Sequence, residues 1–84
     1  MTGCSLIVCP ASLVYNWMSE LARFAPGLRC VAAVGTKSAR AASIGSSAEL
    51  DVLVTSYDLL RRDVEIYSGQ HFARVVLDEA QYIK

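Results

Sequence analysis

Two adjacent acids, Asp78 and Glu79, follow directly on the apolar run Val75-Val76-Leu77 in the segment RVVLDEAQYIK, residues 74–84. Neighbouring side chains at the end of a strand point in different directions. One carboxylate can then hold a divalent cation, usually through water, while the other orients or deprotonates an attacking water. Phosphoryl transfer needs that division of labour, because phosphate oxygens must be neutralised while a nucleophile is aimed. A plainer role is open to the same residues. Asp78 could cap a helix starting at Ala80, with Glu79 in its first turn, where an acid suits the helix dipole. The acid pair alone does not choose between these roles.

The elements that must position the acids can be read upstream. Ser5-Leu6-Ile7-Val8-Cys9 is a continuous apolar run ended by Pro10, the pattern of a strand covered on both faces. Leu13, Val14, Trp17, Met18, Leu21 and Ala22 then recur at helical spacing. Ser12 is placed to cap that helix and Pro26-Gly27 to stop it. A second strand is expected over 29–34. Residues 36–50 read either as a loop or as a short Ala-rich helix over 37–44 closed by Gly45-Ser46-Ser47. A third strand is expected over 51–56 (DVLVTS), a helix over 57–67 with Leu59, Leu60 and Val64 inward, and a fourth strand over 74–77.

The order is βαβαβαβ. Each crossover is long enough for a helix, so the strands should run parallel with right-handed connections, giving a doubly wound α/β sheet. Ligands of such sheets gather at the carboxyl ends of the strands. Three of those ends carry polar residues: Pro10-Ala11-Ser12, Thr55-Ser56-Tyr57 and Asp78-Glu79-Ala80-Gln81. They should share one rim. Ser12 and Ser56 lie where a strand gives way to a helix, where free N–H groups and a hydroxyl suit an anion.

Two acids after a strand resemble the Walker B element of phosphate-loop NTPases. Its usual partner, G-x-x-x-x-G-K-[ST], is not in this sequence. The nearest approach, Gly35-Thr36-Lys37-Ser38, has its glycine and lysine separated and reads as a strand-to-helix turn. This chain by itself cannot cradle a triphosphate.

Three blocks carry a more specific resemblance. SLIVCPASLVYNWMSELARFAP (5–26), DVLVTSYDLLRRD (51–63) and RVVLDEAQYIK (74–84) resemble, in order and spacing, helicase motifs Ia, Ib and II of the SWI/SNF-type ATPases, superfamily-2 motors that translocate on double-stranded DNA. The intervening VAAVGTKSAR also fits, departing at Val34, where many members have His. The resemblance implies a RecA-like sheet and an incomplete domain: residues 1–84 as a fragment of the first ATPase lobe, with the phosphate loop, motif III and the second RecA-like lobe elsewhere. It implies ATP and Mg²⁺ as cofactors of the intact protein and double-stranded DNA as partner. Asp78 would be the Mg²⁺ ligand, Glu79 the catalytic base or water-orienting acid, and Gln81 a coupler of nucleotide state to the motor. Pro10, Ala11, Ser12, Thr55, Ser56 and Tyr57 would meet the phosphates of the tracked strand. Such contacts read backbone rather than sequence, as a motor on any DNA requires. The fragment itself is expected to be inactive. The DEAQ spelling leans towards a bacterial member, with a cytoplasmic, nucleoid-associated location; a eukaryotic member would be nuclear.

Two other classes of protein place acids in comparable positions. A receiver-like regulatory or metal-binding module also uses acids at strand ends, but places its pair after the first strand. Another superfamily-2 helicase lobe is a third reading, less well matched by YNW, TSYDLLRRD and DEAQYIK. The chain of 84 residues is 54% hydrophobic, 19% charged and neutral overall, which suits a small globular core and argues against binding nucleic acid or membrane by bulk charge. No apolar run spans a bilayer. Three cysteines without C-x-x-C make neither a disulfide framework nor a zinc ribbon, and Cys9 and Cys30 read as small buried hydrophobes. Trp17 reads as core rather than as a base-stacking platform, and Arg61-Arg62-Asp63 as a solvated face with local ion pairs. His71 has no ligand partners at metal spacing.

Overall fold

The computed structural model describes residues 3–78. Strand β1 (Cys4–Cys9) leads through a 3₁₀ turn, Ala11–Leu13, into helix α1 (Val14–Phe24). Strand β2 (Cys30–Ala32), helix α2 (Lys37–Gly45), strand β3 (Val52–Ser56), helices α3 (Tyr57–Arg62) and α4 (Val64–Ser68), and strand β4 (Phe72–Leu77) follow. The strands form one parallel sheet in the order β2-β3-β1-β4. The doubly wound α/β class read from the sequence is therefore the observed one. Among the described residues no helix is long and apolar enough to cross a membrane.

The two central strands are apolar on both faces because both faces are covered. Leu6, Val8 and Leu53 pack with Ala33, Ile44 of α2 and Tyr67 of α4. Ile7, Cys9, Val52 and Val54 form a second cluster on the opposite face, joined by Val14, Trp17, Met18 and Leu21 of α1. The register Cys9↔Ser56 and Val8↔Leu77 brings the carboxyl ends of β1, β3 and β4 level. Strand β4 is at the edge, and its Val75 and Leu77 are 55% and 50% exposed.

Several local expectations need correction. Ser12 does not cap α1: the cap position is Leu13, with no side-chain hydrogen bond, because the chain first makes a 3₁₀ turn closed by Leu13 N–H donating to Pro10 O at 2.8 Å. Of the two readings of residues 36–50, the short helix is the one observed, over Lys37–Gly45. The Thr36 hydroxyl accepts from Ala39 N–H and starts α2, and Gly35 makes the turn before it at φ +94°. The single helix expected over 57–67 is broken at Asp63, and Val64 is 57% exposed rather than inward.

The break has a cause distant in sequence. Asp63 is buried and accepts two hydrogen bonds from Arg40 of α2, at 2.6 and 3.0 Å, while Arg40 also donates to Gly35 O at 2.9 Å. Asp63 thus belongs to the interior and not to a solvated face. Arg61 does make the local surface pair, with Asp58 at 2.7 Å.

Candidate functional site

The rim expected from the strand order exists, and Asp78 stands on it at the end of the edge strand β4. Its N–H donates to Val8 O at 2.8 Å, extending the β4–β1 pairing by one residue beyond the strand. Its carbonyl oxygen accepts from the Tyr57 hydroxyl at 2.7 Å, a tie to the residue that opens α3. Its carboxylate Oδ2 accepts from the Trp17 indole Nε1 at 2.8 Å, a tie to α1. Strand β1, helix α1 and the residue that follows β3 are therefore all tied to one acid. Glu79 and Gln81, and a helix capped by Asp78 at Ala80, lie outside the described residues.

The six residues expected to meet phosphate are brought to the same rim but are not equally presented. Ala11 and Ser12 are exposed and Pro10 is half-buried. With Leu13 in the cap position, the Ser12 hydroxyl has no hydrogen-bond partner among the described residues and faces solvent. Thr55 and Ser56 are buried. The Thr55 hydroxyl donates to Ala33 O at 3.3 Å, and the Ser56 hydroxyl accepts from Leu59 N–H at 3.2 Å, capping α3. Both hydroxyls are thus engaged inside the protein, and these side chains hold the rim together from beneath. Tyr57 is half-buried and ties its hydroxyl to Asp78.

Cys9 lies under the rim, wholly buried, with its thiol 3.7 Å from Thr55 O. Burial and the nearby charge of Asp78 push that thiol up to about 11. It remains protonated at neutral pH and is no nucleophile. Cys30 is only half-buried, less than the sequence suggested. The described residues contain no group of three or more His, Cys, Asp or Glu able to hold a metal ion. A lone carboxylate does not fit a dedicated protein cage. It does fit Mg²⁺, which keeps several waters and is bound through one or two carboxylates together with substrate phosphates.

The sequence reasoning missed Trp17 as a member of the site. Its helical spacing beside Met18 and Leu21 gave it to the core, where its ring does pack. A signal was available in its chemistry: a buried indole N–H needs an acceptor, and a strand-end carboxylate is the best one nearby.

The sheet, its crossovers and its rim define part of a RecA-like α/β lobe. The chain matches the model of the SNF2-related domain over residues 1–84 and belongs to that family. It is 44% identical over 80 residues to the TATA-binding protein-associated factor mot1 of Aspergillus fumigatus, a match covering 95% of this chain and 4% of that protein. It is 39% identical over 85 residues to the SWI/SNF-related matrix-associated actin-dependent regulator of chromatin subfamily A member 1 of Homo sapiens, covering 98% of this chain and 8% of that one. Its fold is similar to that of the Sulfolobus solfataricus SWI2/SNF2 ATPase core, solved in complex with dsDNA, with a TM-score of 0.81 and 33% identity, over 98% of this chain and 16% of that one. The chain thus spans at most 8% of the length of these two curated relatives. The SWI/SNF-type resemblance is borne out, and the receiver-like reading is not favoured.

Proposed function

We propose that this chain is the middle part of the first RecA-like lobe of an ATP-dependent double-stranded-DNA translocase of the SNF2 type. One observation carries the reading: the carboxyl ends of β1, β3 and β4 meet at Asp78, in a chain that belongs to the SNF2-related family. The lysine-bearing phosphate cradle would come from another part of the protein, since the sequence here has none.

Asp78 would hold Mg²⁺ through its water shell, and the ion would neutralise the triphosphate oxygens as charge develops. Asp78 Oδ1 takes no hydrogen bond from another described residue, so one carboxylate oxygen is left for that role while Oδ2 is engaged by Trp17. Glu79 would orient the attacking water and accept its proton as the water oxygen bonds to the γ-phosphorus and ADP leaves. Gln81 would pass the state of the nucleotide to the rest of the motor. Ala11 and Ser12, exposed at the start of the first helical turn, would donate N–H groups and a hydroxyl to a DNA phosphate. Pro10 and Tyr57 would shape the edge of that contact. The second RecA-like lobe would close over the nucleotide.

The test is ATP turnover by the intact protein with and without double-stranded DNA. Asp78→Asn and Glu79→Gln should each lower DNA-stimulated turnover by about two orders of magnitude or more, the scale on which positioned acid–base groups act. Turnover within about twofold of the parent in both variants would overturn the reading.

A further inference from the structure

The Trp17–Asp78 hydrogen bond joins residues 61 positions apart, between helix α1 and the end of strand β4. Its geometry is fixed from both sides. The indole ring packs against the cluster of Ile7, Cys9, Val14 and Val54, alongside Val76, which sets the plane of the ring and the aim of its N–H. The Asp78 main chain is held by Val8 O behind it and the Tyr57 hydroxyl ahead. With backbone and one carboxylate oxygen fixed, rotation of the carboxylate about its last bond is stopped. An unrestrained aspartate has a broad, two-fold distribution about that bond.

We propose that Trp17 is a positioning residue for the metal-binding carboxylate: its indole N–H locks Asp78 so that Oδ1, and not Oδ2, is offered to the hydrated cation. This rests on the reading of Asp78 as the Mg²⁺ ligand given above. Outer partners that orient metal ligands act through geometry and ligand basicity, and their loss typically costs about 10- to 100-fold in metal affinity or activity. Because the cation would be held through water, the lower end of that range applies. The indole is suited to the task because it donates only, so it cannot compete with the cation for the carboxylate. It also sits in a packed cluster that excludes water from one side of the bond.

The experiment uses the full-length protein that contains this segment, with Mn²⁺ as the metal probe and a non-hydrolysable ATP analogue present, binding being followed by electron paramagnetic resonance. Trp17 is replaced by 3-benzothienylalanine, which keeps the ring shape and loses the N–H, and separately by Phe. A 5-fluorotryptophan-labelled sample supplies a second readout, the Trp17 resonance being assigned by its disappearance in Trp17→Phe. The expected result is an approximately tenfold loss of Mn²⁺ affinity in the isostere, strong paramagnetic broadening of the Trp17 resonance by bound Mn²⁺, and no further loss when the isostere is combined with Asp78→Ala. If Asp78→Ala lowers affinity but the isostere leaves it unchanged, or if the two losses add, the positioning role is overturned while the ligand role stands. If Asp78→Ala itself leaves Mn²⁺ affinity unchanged, the ligand role falls and takes the positioning role with it. If Trp17→Phe fails to fold, the isostere decides alone.

Discussion

Arg40 and Asp63 are paired inside the protein by two hydrogen bonds, of 2.6 and 3.0 Å, with Asp63 wholly buried and Arg40 nearly so. The pair ties α2 to the break between α3 and α4, so it fixes where the segment after β3 turns back to enter β4. The carboxyl rim depends on that return, since β4 delivers Asp78.

Removing one partner leaves a buried charge uncompensated. Asp63→Ala should destabilise the lobe by about 3–5 kcal/mol, whereas replacing both partners, as in R40M/D63L, should be near neutral or stabilising. Hydrogen exchange of the α2 and β3 amides in the intact protein reads the difference locally. Equal loss of protection in the single and double variants would contradict the account.

The pair also sets a pH dependence. The hydrogen bond from Arg40 holds the Asp63 carboxyl below the usual aspartate range, against the opposing effect of burial. A carboxyl depressed in the folded state stabilises the protein at pH values above its unfolded value, about 3.9, and that stability is lost as pH falls through the folded value. Protection of the β3 amides should therefore hold from neutral pH down to about pH 4 and fall below it. In R40M/D63L this acid-sensitive step should be absent.

The parts of the fold that were legible in the sequence are those set by local pattern. The apolar runs of β1 and β3 announce buried parallel strands, and the spacing of Leu13 to Leu21 announces α1, because covered faces demand such residues. Illegible were the features caused from a distance. Asp63 breaks its helix because Arg40 waits in α2, and nothing within the run from Tyr57 to Tyr67 records that. Ser12 has the type and place of a cap, yet the 3₁₀ turn after Pro10 moves the cap to Leu13. Of the candidate site, the convergence of three strand ends followed from parallel order. The inward turn of the Thr55 and Ser56 side chains and the link from Trp17 to Asp78 required the packed structure.

Gly3 and Gly35 separate two reasons for glycine. Both have positive φ, +101° and +94°. A Cβ on Gly3 would stand 2.8 Å from Ala73 Cβ, whereas on Gly35 its nearest neighbour is Ala39 Cβ at 3.8 Å. Gly35→Ala should cost about 1–2 kcal/mol, the conformational penalty alone. Gly3→Ala should cost more and loosen the start of the β1–β4 pairing, seen as faster exchange of the β4 amides than in Gly35→Ala.

Strand β4 has β1 on one side and no described strand on the other, and Val75 and Leu77 are half-exposed. An apolar edge of that kind pairs with other chains. Expressed alone, the 84-residue segment should associate through β4, and Val75→Lys should raise its soluble, monomeric fraction as measured by sedimentation. A segment already monomeric without that substitution would show the edge to be harmless.

The Tyr57 hydroxyl has one proton, and it goes to Asp78 O at 2.7 Å. The same proton cannot serve a DNA phosphate while that bond lasts. Tyr57 should therefore act on the metal-binding acid more than on DNA, in contrast to Ser12, whose hydroxyl has no partner among the described residues. Tyr57→Phe removes a donor from the Asp78 carbonyl, worth about 0.5–1.5 kcal/mol, and frees the turn that carries the carboxylate. The expected outcome in the intact protein is ATP turnover several-fold lower, with the dissociation constant for double-stranded DNA within about twofold of the parent, because ring and rim shape are kept. Ser12→Ala should raise that dissociation constant several-fold. Filter binding and steady-state turnover on the same preparations distinguish the two. A Tyr57→Phe protein that loses DNA affinity without losing turnover would mean that the hydroxyl leaves Asp78 for phosphate once DNA is bound.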